Sequence, residues 1–160
     1  MNPFERWMLW GSTTVVGLSG FAFLWLKHVA APADPYAIVN HPWQPFFLKL
    51  HILSAPVLVF AVGVVFLRHI WRQFRSGRPG GRRTGLTVFA VMVPMVASGY
   101  LLQTVASRDA LRWLAWIHIG TSTAYVLAIG GHQLRTLVVE SAARRARAAS
   151  RPAAEGEPAA

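Results

Sequence analysis

The sequence predicts an all-α integral membrane protein, a four-helix bundle with both termini in the cytoplasm. Hydrophobic residues make up 54% of the chain and charged residues only 14%, a balance typical of membrane proteins rather than of soluble proteins. Four apolar stretches each reach the ~20 residues that cross a bilayer as an α-helix. Basic residues gather on one side of these stretches, which sets the direction of the chain through the membrane.

The four spans run roughly over residues 7–26, 45–71, 85–105 and 110–139. The second and the fourth exceed ~20 residues, so we expect them to tilt or to project beyond the membrane. The apolar run of the first is longer than the ~7–15 residues of a signal-peptide core. We therefore expect it to be a helix of the mature protein.

The connections are rich in residues that end helices. Residues 28–44 carry three prolines and a tryptophan, which predicts a rigid outer loop, and the Arg-Pro-Gly-Gly stretch at 78–81 ends the second helix. The sequence thus divides into a membrane domain over residues 1–140 and a tail over 141–160. The tail is rich in Ala and Arg and then in Pro and Glu, so we expect it to continue the fourth helix for a turn or two and then to be disordered.

Twelve of the sixteen Lys and Arg residues lie on the side of the two chain termini: at the ends of the chain, between the second and third spans, or near the ends of the second and fourth spans. By the positive-inside rule this side is cytoplasmic. The other four lie on the opposite side: Lys27, Lys49, Arg108 and Arg112. A net charge of +10 is also typical of nucleic-acid-binding proteins. Here the arginines flank apolar spans, so we expect contact with membrane lipid and none with nucleic acid.

Four of the six histidines form two pairs with helical spacing. His118 and His132 are fourteen residues apart, nearly four turns, so they share one face of the fourth helix and stand ~21 Å apart along its axis. His51 and His69 are eighteen apart, five turns, or ~27 Å. Pairing by depth joins His51 with His118 on the outer side and His69 with His132 on the inner side. Helix tilt, a kink at Pro56 or a small offset at each end would account for the ~6 Å difference between the two axial separations.

Neutral imidazoles at two depths of a membrane suit the axial ligation of two stacked haems. The chain has no cysteine, which excludes iron–sulfur clusters, thiolate zinc sites and haem attached through Cys-x-x-Cys-His. Zinc or copper would need three or four ligands converging at one level. The alternative is that each histidine is a hydrogen-bonding residue between helices. We predict two non-covalent haems b per chain, each bound by two histidines.

Small and basic residues near the histidines are candidate contacts for the same cofactors. Glycines would let a flat porphyrin lie against helix backbone, or would let helices pack closely, and both interpretations stay open. Basic residues would pair with haem propionates, although they are also expected beside any membrane span. The candidates are Gly20, Gly99, Lys49, Arg112, Arg68, Arg72 and Arg135.

A faint internal repeat supports this arrangement. Residues 18–21 (Leu-Ser-Gly-Phe) resemble residues 97–100 (Ala-Ser-Gly-Tyr), and residues 50–52 (Leu-His-Ile) resemble residues 117–119 (Ile-His-Ile). Two helical hairpins of the same orientation would make the second and fourth spans parallel, with their histidines at matching depths.

With two histidines spaced Hx13H on the last helix of a four-helix bundle, residues 7–139 resemble the four-helix membrane cytochrome b family. Its members include the cytochrome b, or gamma, subunits of formate dehydrogenases and nickel–iron hydrogenases, and related small bacterial dihaem cytochromes b. The resemblance implies that His118 and His132 each ligate one haem and that His51 completes the outer one. The family commonly takes its last ligand from the cytoplasmic end of helix 1, where this chain has no histidine. His69 is therefore inferred from this sequence alone.

The resemblance implies a multi-pass subunit of the bacterial inner membrane that serves electron transport in a respiratory chain. It would carry electrons between the quinone pool and other redox subunits of a membrane oxidoreductase complex, with a quinone site near one haem. The chain has no nucleotide loop, flavin fingerprint or catalytic carboxylate pair within its spans, so we predict no catalytic residue. Two alternatives stay open: a haem-free structural anchor of a larger complex, and a stand-alone quinone-linked oxidoreductase.

Overall fold

The computed structural model describes residues 2–32, 34, 36, 38–71 and 82–149. Every regular element within these ranges is helical. Four of the helices are long and apolar enough to cross a membrane, which confirms the all-helical class and suits a multi-pass membrane protein. The side of the membrane on which the termini lie stays a prediction.

The described chain forms four α-helices in sequence order. Helix α1 spans Pro3–His28 and α2 spans Gln44–Val65. A π-helical turn, Phe66–Ile70, extends α2. After it come α3, Arg82–Thr104, and α4, Arg108–Ala149. The four predicted spans therefore correspond to these helices one by one.

Side-chain caps fix both ends of α1. The Asn2 side chain accepts a hydrogen bond from the Glu5 backbone N–H at 2.7 Å, and the Asn2 backbone N–H donates to the Glu5 carboxylate at 3.1 Å. This reciprocal capping box satisfies backbone donors that have no partner within the helix. At the other end the Asn40 amide donates to the carbonyls of Leu26 and Ala30, at 2.8 and 2.7 Å. The loop after α1 is thereby tied back to the helix it leaves.

The helices pack as two antiparallel hairpins, α1 with α2 and α3 with α4, so that α2 and α4 run in the same direction. Between the hairpins, α1 approaches α4, and the π-helical turn approaches α3. One apolar core draws on all four helices: Leu9, Val16, Leu58, Ala61, Val62, Val65, Met92, Met95, Tyr125 and Ile129. Each helix also leaves large apolar side chains exposed, as lipid contact requires; examples are Trp7, Leu53, Val93 and Leu127.

Helix α4 is far longer than a membrane requires. Its 42 residues span ~63 Å at 1.5 Å per residue, about twice the ~30 Å of the hydrocarbon core. It runs without a break through residue 140 to Ala149. Residues 141–149 of the predicted tail are therefore helical, and the division into a membrane domain and a tail stays a prediction. Residues 150–160 lie outside the described part of the chain.

The end of α2 departs from the regular α-helix that the sequence predicted over residues 45–71. In the turn Phe66–Ile70 the hydrogen bonds link residues five apart, and the Trp71 backbone N–H donates to the Phe66 carbonyl. The spacing of His51 and His69 in whole turns assumed an unbroken α-helix. His69 lies inside the π-helical turn, so the predicted spacing of five whole α-helical turns from His51 does not apply to it.

Candidate cofactor site between the two hairpins

His51 of α2 and His118 of α4 lie next to each other where the two hairpins meet. Their ring centroids are 6.0 Å apart, and their planes are nearly perpendicular at 81°. These are the two histidines that the sequence assigns to the outer level. Because α2 and α4 run parallel, one histidine from each hairpin reaches the same depth.

Both imidazoles are oriented by a backbone carbonyl of the neighbouring helix in their own hairpin. His51 Nδ1 lies 2.9 Å from the Val16 carbonyl oxygen, and His118 Nδ1 lies 2.9 Å from the Met95 carbonyl oxygen. A carbonyl only accepts, so Nδ1 must carry the hydrogen in each ring. In a neutral imidazole Nε2 then has the lone pair and is the nitrogen that can bind a metal.

Two glycines make these hydrogen bonds possible. Each acceptor carbonyl belongs to the residue four positions before a glycine, Gly20 in α1 and Gly99 in α3. A side chain at that position of an α-helix would lean over the carbonyl, and a glycine leaves it open. A Cβ added at Gly20 would lie 2.8 Å from His51 Cε1, and one added at Gly99 would lie 3.0 Å from His118 Cε1.

The structure gives these glycines a definite neighbour. At Gly20 and Gly99 the close contact is a histidine ring of the adjacent helix, so close helix packing, one of the two interpretations, is observed there. A contact between these glycines and a porphyrin stays a prediction. An added Cβ would meet nothing within 4 Å at six further glycines: Gly11, Gly17, Gly63, Gly120, Gly130 and Gly131.

Two buried serines were not singled out by the sequence analysis. Ser19 and Ser98 each precede one of the two glycines, and their hydroxyls donate to the same carbonyls that the histidines use, at 3.1 and 3.0 Å. The Ser98 hydroxyl oxygen also lies 3.3 Å from His118 Nδ1. The signal that could have found them was the Ser-Gly pair shared by both halves of the internal repeat.

The two hairpins thus form equivalent halves of one site. In each, the first helix supplies a carbonyl, a serine and a glycine, and the second helix supplies the histidine. The three ring atoms nearest to each glycine follow the same order: Cε1, then Nδ1, then Nε2. The short sequence matches between the halves therefore mark the residues that position the two rings.

This donor set suits a metal that needs only two ligands from the protein. A metal ion held about 2 Å from each of two opposed imidazole nitrogens would separate the ring centroids by roughly 6 Å. No described residue brings a third His, Cys, Asp or Glu to the pair. A structural zinc site takes four protein ligands and a catalytic one three, whereas a porphyrin itself supplies four of the six ligands of its iron.

The inner pair is described only on the α4 side. Helix α4 is α-helical from His118 to His132, so the two histidines keep the common face that their spacing predicts. His132 is partly buried. The side chain of His69 lies outside the described residues, so its pairing with His132 stays a prediction.

The basic candidates lie at the helix surface. Lys49, Arg112 and Arg135 are exposed. Arg68 is 68% exposed and donates a hydrogen bond of 2.9 Å to the carboxylate of Glu5, which is buried. The partner described for this arginine is therefore a protein carboxylate. Arg72 lies outside the described residues, and contacts of any of these side chains with haem propionates stay a prediction.

Tyr125, midway between the two α4 histidines in sequence, belongs to the apolar core. It is 2% exposed and packs in the cluster to which all four helices contribute. Its hydroxyl and that of Thr13 are buried beside each other, and neither makes a hydrogen bond of standard geometry. This placement is that of a packing residue between the hairpins.

Comparisons of the chain with protein-family models, with curated proteins and with solved structures gave no match. The function is therefore inferred from the histidine pair and the residues that orient it.

Proposed function

We propose that this chain is a b-type membrane cytochrome in which His51 and His118 are the axial ligands of a haem iron. The observation that supports the proposal most directly is the pair of imidazoles 6.0 Å apart, each held through Nδ1 by a backbone carbonyl. Such a bond fixes the tautomer, leaves Nε2 for the metal and makes the imidazole a stronger donor.

The ligands available at the site indicate which cofactor it would bind. The imidazoles of His51 and His118 would complete the coordination of an iron whose other four ligands a porphyrin supplies. The chain has no cysteine, so the haem would be non-covalent haem b. Bound there, it supplies an iron that gains and loses one electron.

The proposal includes a second haem on the inner side, ligated by His132 and His69. It is supported by the unbroken α-helical spacing of His118 and His132. Exposed basic side chains near the two levels, Lys49 and Arg112 for the outer haem and Arg135 for the inner, are suited to pair with propionates at the membrane edges.

Two haems at two depths would let the chain carry electrons across a membrane. We place it in the bacterial inner membrane, between the quinone pool and a partner oxidoreductase subunit that carries out the substrate chemistry. This role rests on the family resemblance of the four-helix bundle and its Hx13H helix. The chain itself would bind, orient and insulate the haems within its apolar core.

Haem content tests the proposal. The full chain, produced with haem in ample supply and purified, should contain two haems b by pyridine haemochrome analysis and show a six-coordinate low-spin spectrum. One haem per chain would retain the His51–His118 site and eliminate the inner one. A colourless protein would overturn the cytochrome and favour the haem-free structural anchor.

Ligand substitutions test the pairing. His51→Ala and His118→Ala should lose the same haem, because a haem clamped from one face only is held far less firmly. His41→Ala is the matched control, since the ring of His41 is engaged within its own loop, accepting from the Trp43 backbone N–H at 3.2 Å. If His51→Ala and His118→Ala lost different haems, the two histidines would not share one site.

A further inference from the structure

The two halves of the His51–His118 site differ in the contacts of their serines. Ser98 Oγ lies 3.3 Å from His118 Nδ1. The hydrogen bond described for its counterpart, Ser19, goes only to a backbone carbonyl, at 3.1 Å. His118 therefore has a second polar neighbour at Nδ1 that His51 does not have among the described residues.

The direction of this contact follows from the other hydrogen bonds of Ser98. Its hydroxyl hydrogen is directed at helix carbonyls, that of Pro94 at 2.7 Å and that of Met95 at 3.0 Å. What Ser98 can offer His118 is thus an oxygen lone pair. The His118 Nδ1–H is shared between the Met95 carbonyl at 2.9 Å and the serine oxygen, in a three-centre bond.

We propose that Ser98 is a positioning residue that lowers the midpoint potential of the haem at this site by acting through His118. The inference rests on the proposed function. Acceptors on Nδ1–H draw the proton away from the ring, which makes Nε2 a more electron-rich ligand and favours the oxidised iron. Ser98 is 3% exposed, so water does not screen the contact.

Paired serine substitutions separate this contact from the rest of the site. Ser98→Ala and Ser19→Ala each remove a buried hydroxyl next to a glycine and its bond to the acceptor carbonyl. Ser98→Ala also removes a bond to the Pro94 carbonyl and, unlike Ser19→Ala, the lone pair facing a histidine. In a redox titration of the purified full chain, Ser98→Ala should raise the reduced-to-oxidised ratio of this haem at least threefold at the parent midpoint potential, equivalent to roughly 28 mV at 59 mV per tenfold. Ser19→Ala should shift the midpoint potential by less than half as many millivolts as Ser98→Ala.

Two further variants keep the test decisive. Ser98→Thr retains the hydroxyl and should keep the parent potential. Ser98→Cys retains the size but offers only a weak sulfur acceptor, so it should raise the potential even where the alanine variant fails to assemble. Equal shifts in Ser98→Ala and Ser19→Ala, or no shift in either, would overturn the role of Ser98. A parent protein without haem would overturn the proposed function as well, so the two failures are distinguishable.

Discussion

A single methyl group at Gly20 would occupy space that the His51 ring needs. An added Cβ would lie 2.8 Å from His51 Cε1, closer than carbon atoms approach without moving. Because the 2.9 Å bond from His51 to the Val16 carbonyl fixes the ring, moving the ring would break that bond. We expect Gly20→Ala to lose the outer haem, which quantitation of haem per purified chain would measure.

Gly17 provides the matched control for this substitution. It lies on the same helix, and an added Cβ there would meet nothing within 4 Å. Alanine also favours a helix over glycine by ~1 kcal/mol. Gly17→Ala should therefore keep the full haem content. Equal haem in both variants would mean that His51 does not need its observed position.

For Tyr125 we expect that removing its buried hydroxyl does not destabilise the protein. The hydroxyl lies beside the buried hydroxyl of Thr13 without the geometry of a standard hydrogen bond, and a buried hydroxyl that is poorly paired costs up to ~1–3 kcal/mol. Tyr125→Phe should unfold at the same temperature as the parent or higher. Tyr125→Ala should lose about 3–5 kcal/mol through the cavity it leaves.

Thermal unfolding of the purified chain, followed by circular dichroism, would measure both changes. A lower unfolding temperature for Tyr125→Phe would show that the hydroxyl does have a stabilising partner. In that case the neighbouring buried hydroxyl of Thr13 would be that partner, and Thr13 would be the first residue to substitute.

At the scale of the elements, local composition predicts where helices are but not how they end. The sequence predicted the first span from residue 7, whereas α1 begins at Pro3. The difference comes from the capping box of Asn2 and Glu5, which adds a turn that hydropathy does not detect. Element existence follows from apolar length alone, and element boundaries follow from individual polar contacts.

The π-helical turn Phe66–Ile70 illustrates what periodicity cannot predict. The apolar pattern of α2 does not distinguish four-residue from five-residue hydrogen bonding over one turn. Contacts with distant residues surround this turn: Phe66 stacks on Phe89 of α3 with centroids 4.1 Å apart, and Arg68 pairs with Glu5 of α1. Such contacts between sequence-distant residues leave no trace in the local sequence.

This turn makes His69 the proposed ligand most in need of a test. If His69 and His132 share the inner haem, His69→Ala and His132→Ala should each lose that haem and leave the outer signal, because both axial bonds are needed to hold it. If the two haems of the parent have different midpoint potentials, a redox titration of each variant would identify which haem is missing. An unchanged pair of six-coordinate signals in His69→Ala would show that the inner haem takes another ligand.

At the scale of the molecule, the sequence could predict the meeting of His51 and His118 but not the way each ring is held. The internal repeat made α2 and α4 parallel and put both histidines at one depth. The repeat also contained Ser98, whose hydroxyl contacts the His118 ring, and the two glycines that leave room for both rings. Their role depends on a carbonyl of the adjacent helix, and no spacing rule reveals which backbone atom an imidazole reaches.

The whole molecule also has a predicted direction, set by charge. Twelve of sixteen basic residues lie on the side of the two chain termini, counting those near the ends of the second and fourth spans, and translocating them across a bilayer is unfavourable. A green fluorescent protein fused after residue 160 should therefore fluoresce in the cytoplasm. Alkaline phosphatase fused at the same position should be inactive, since it needs the oxidising periplasm.

A phosphatase inserted in the loop between α1 and α2, near Asp34, is the complementary control and should be active. The opposite result at both positions would exchange the inner and outer labels of the two levels. It would leave the His51–His118 pair in place, because that pair depends on α2 and α4 running in parallel and not on which side they start from. Activity at both positions would contradict an even number of spans, and with it the parallel hairpins on which the shared site depends.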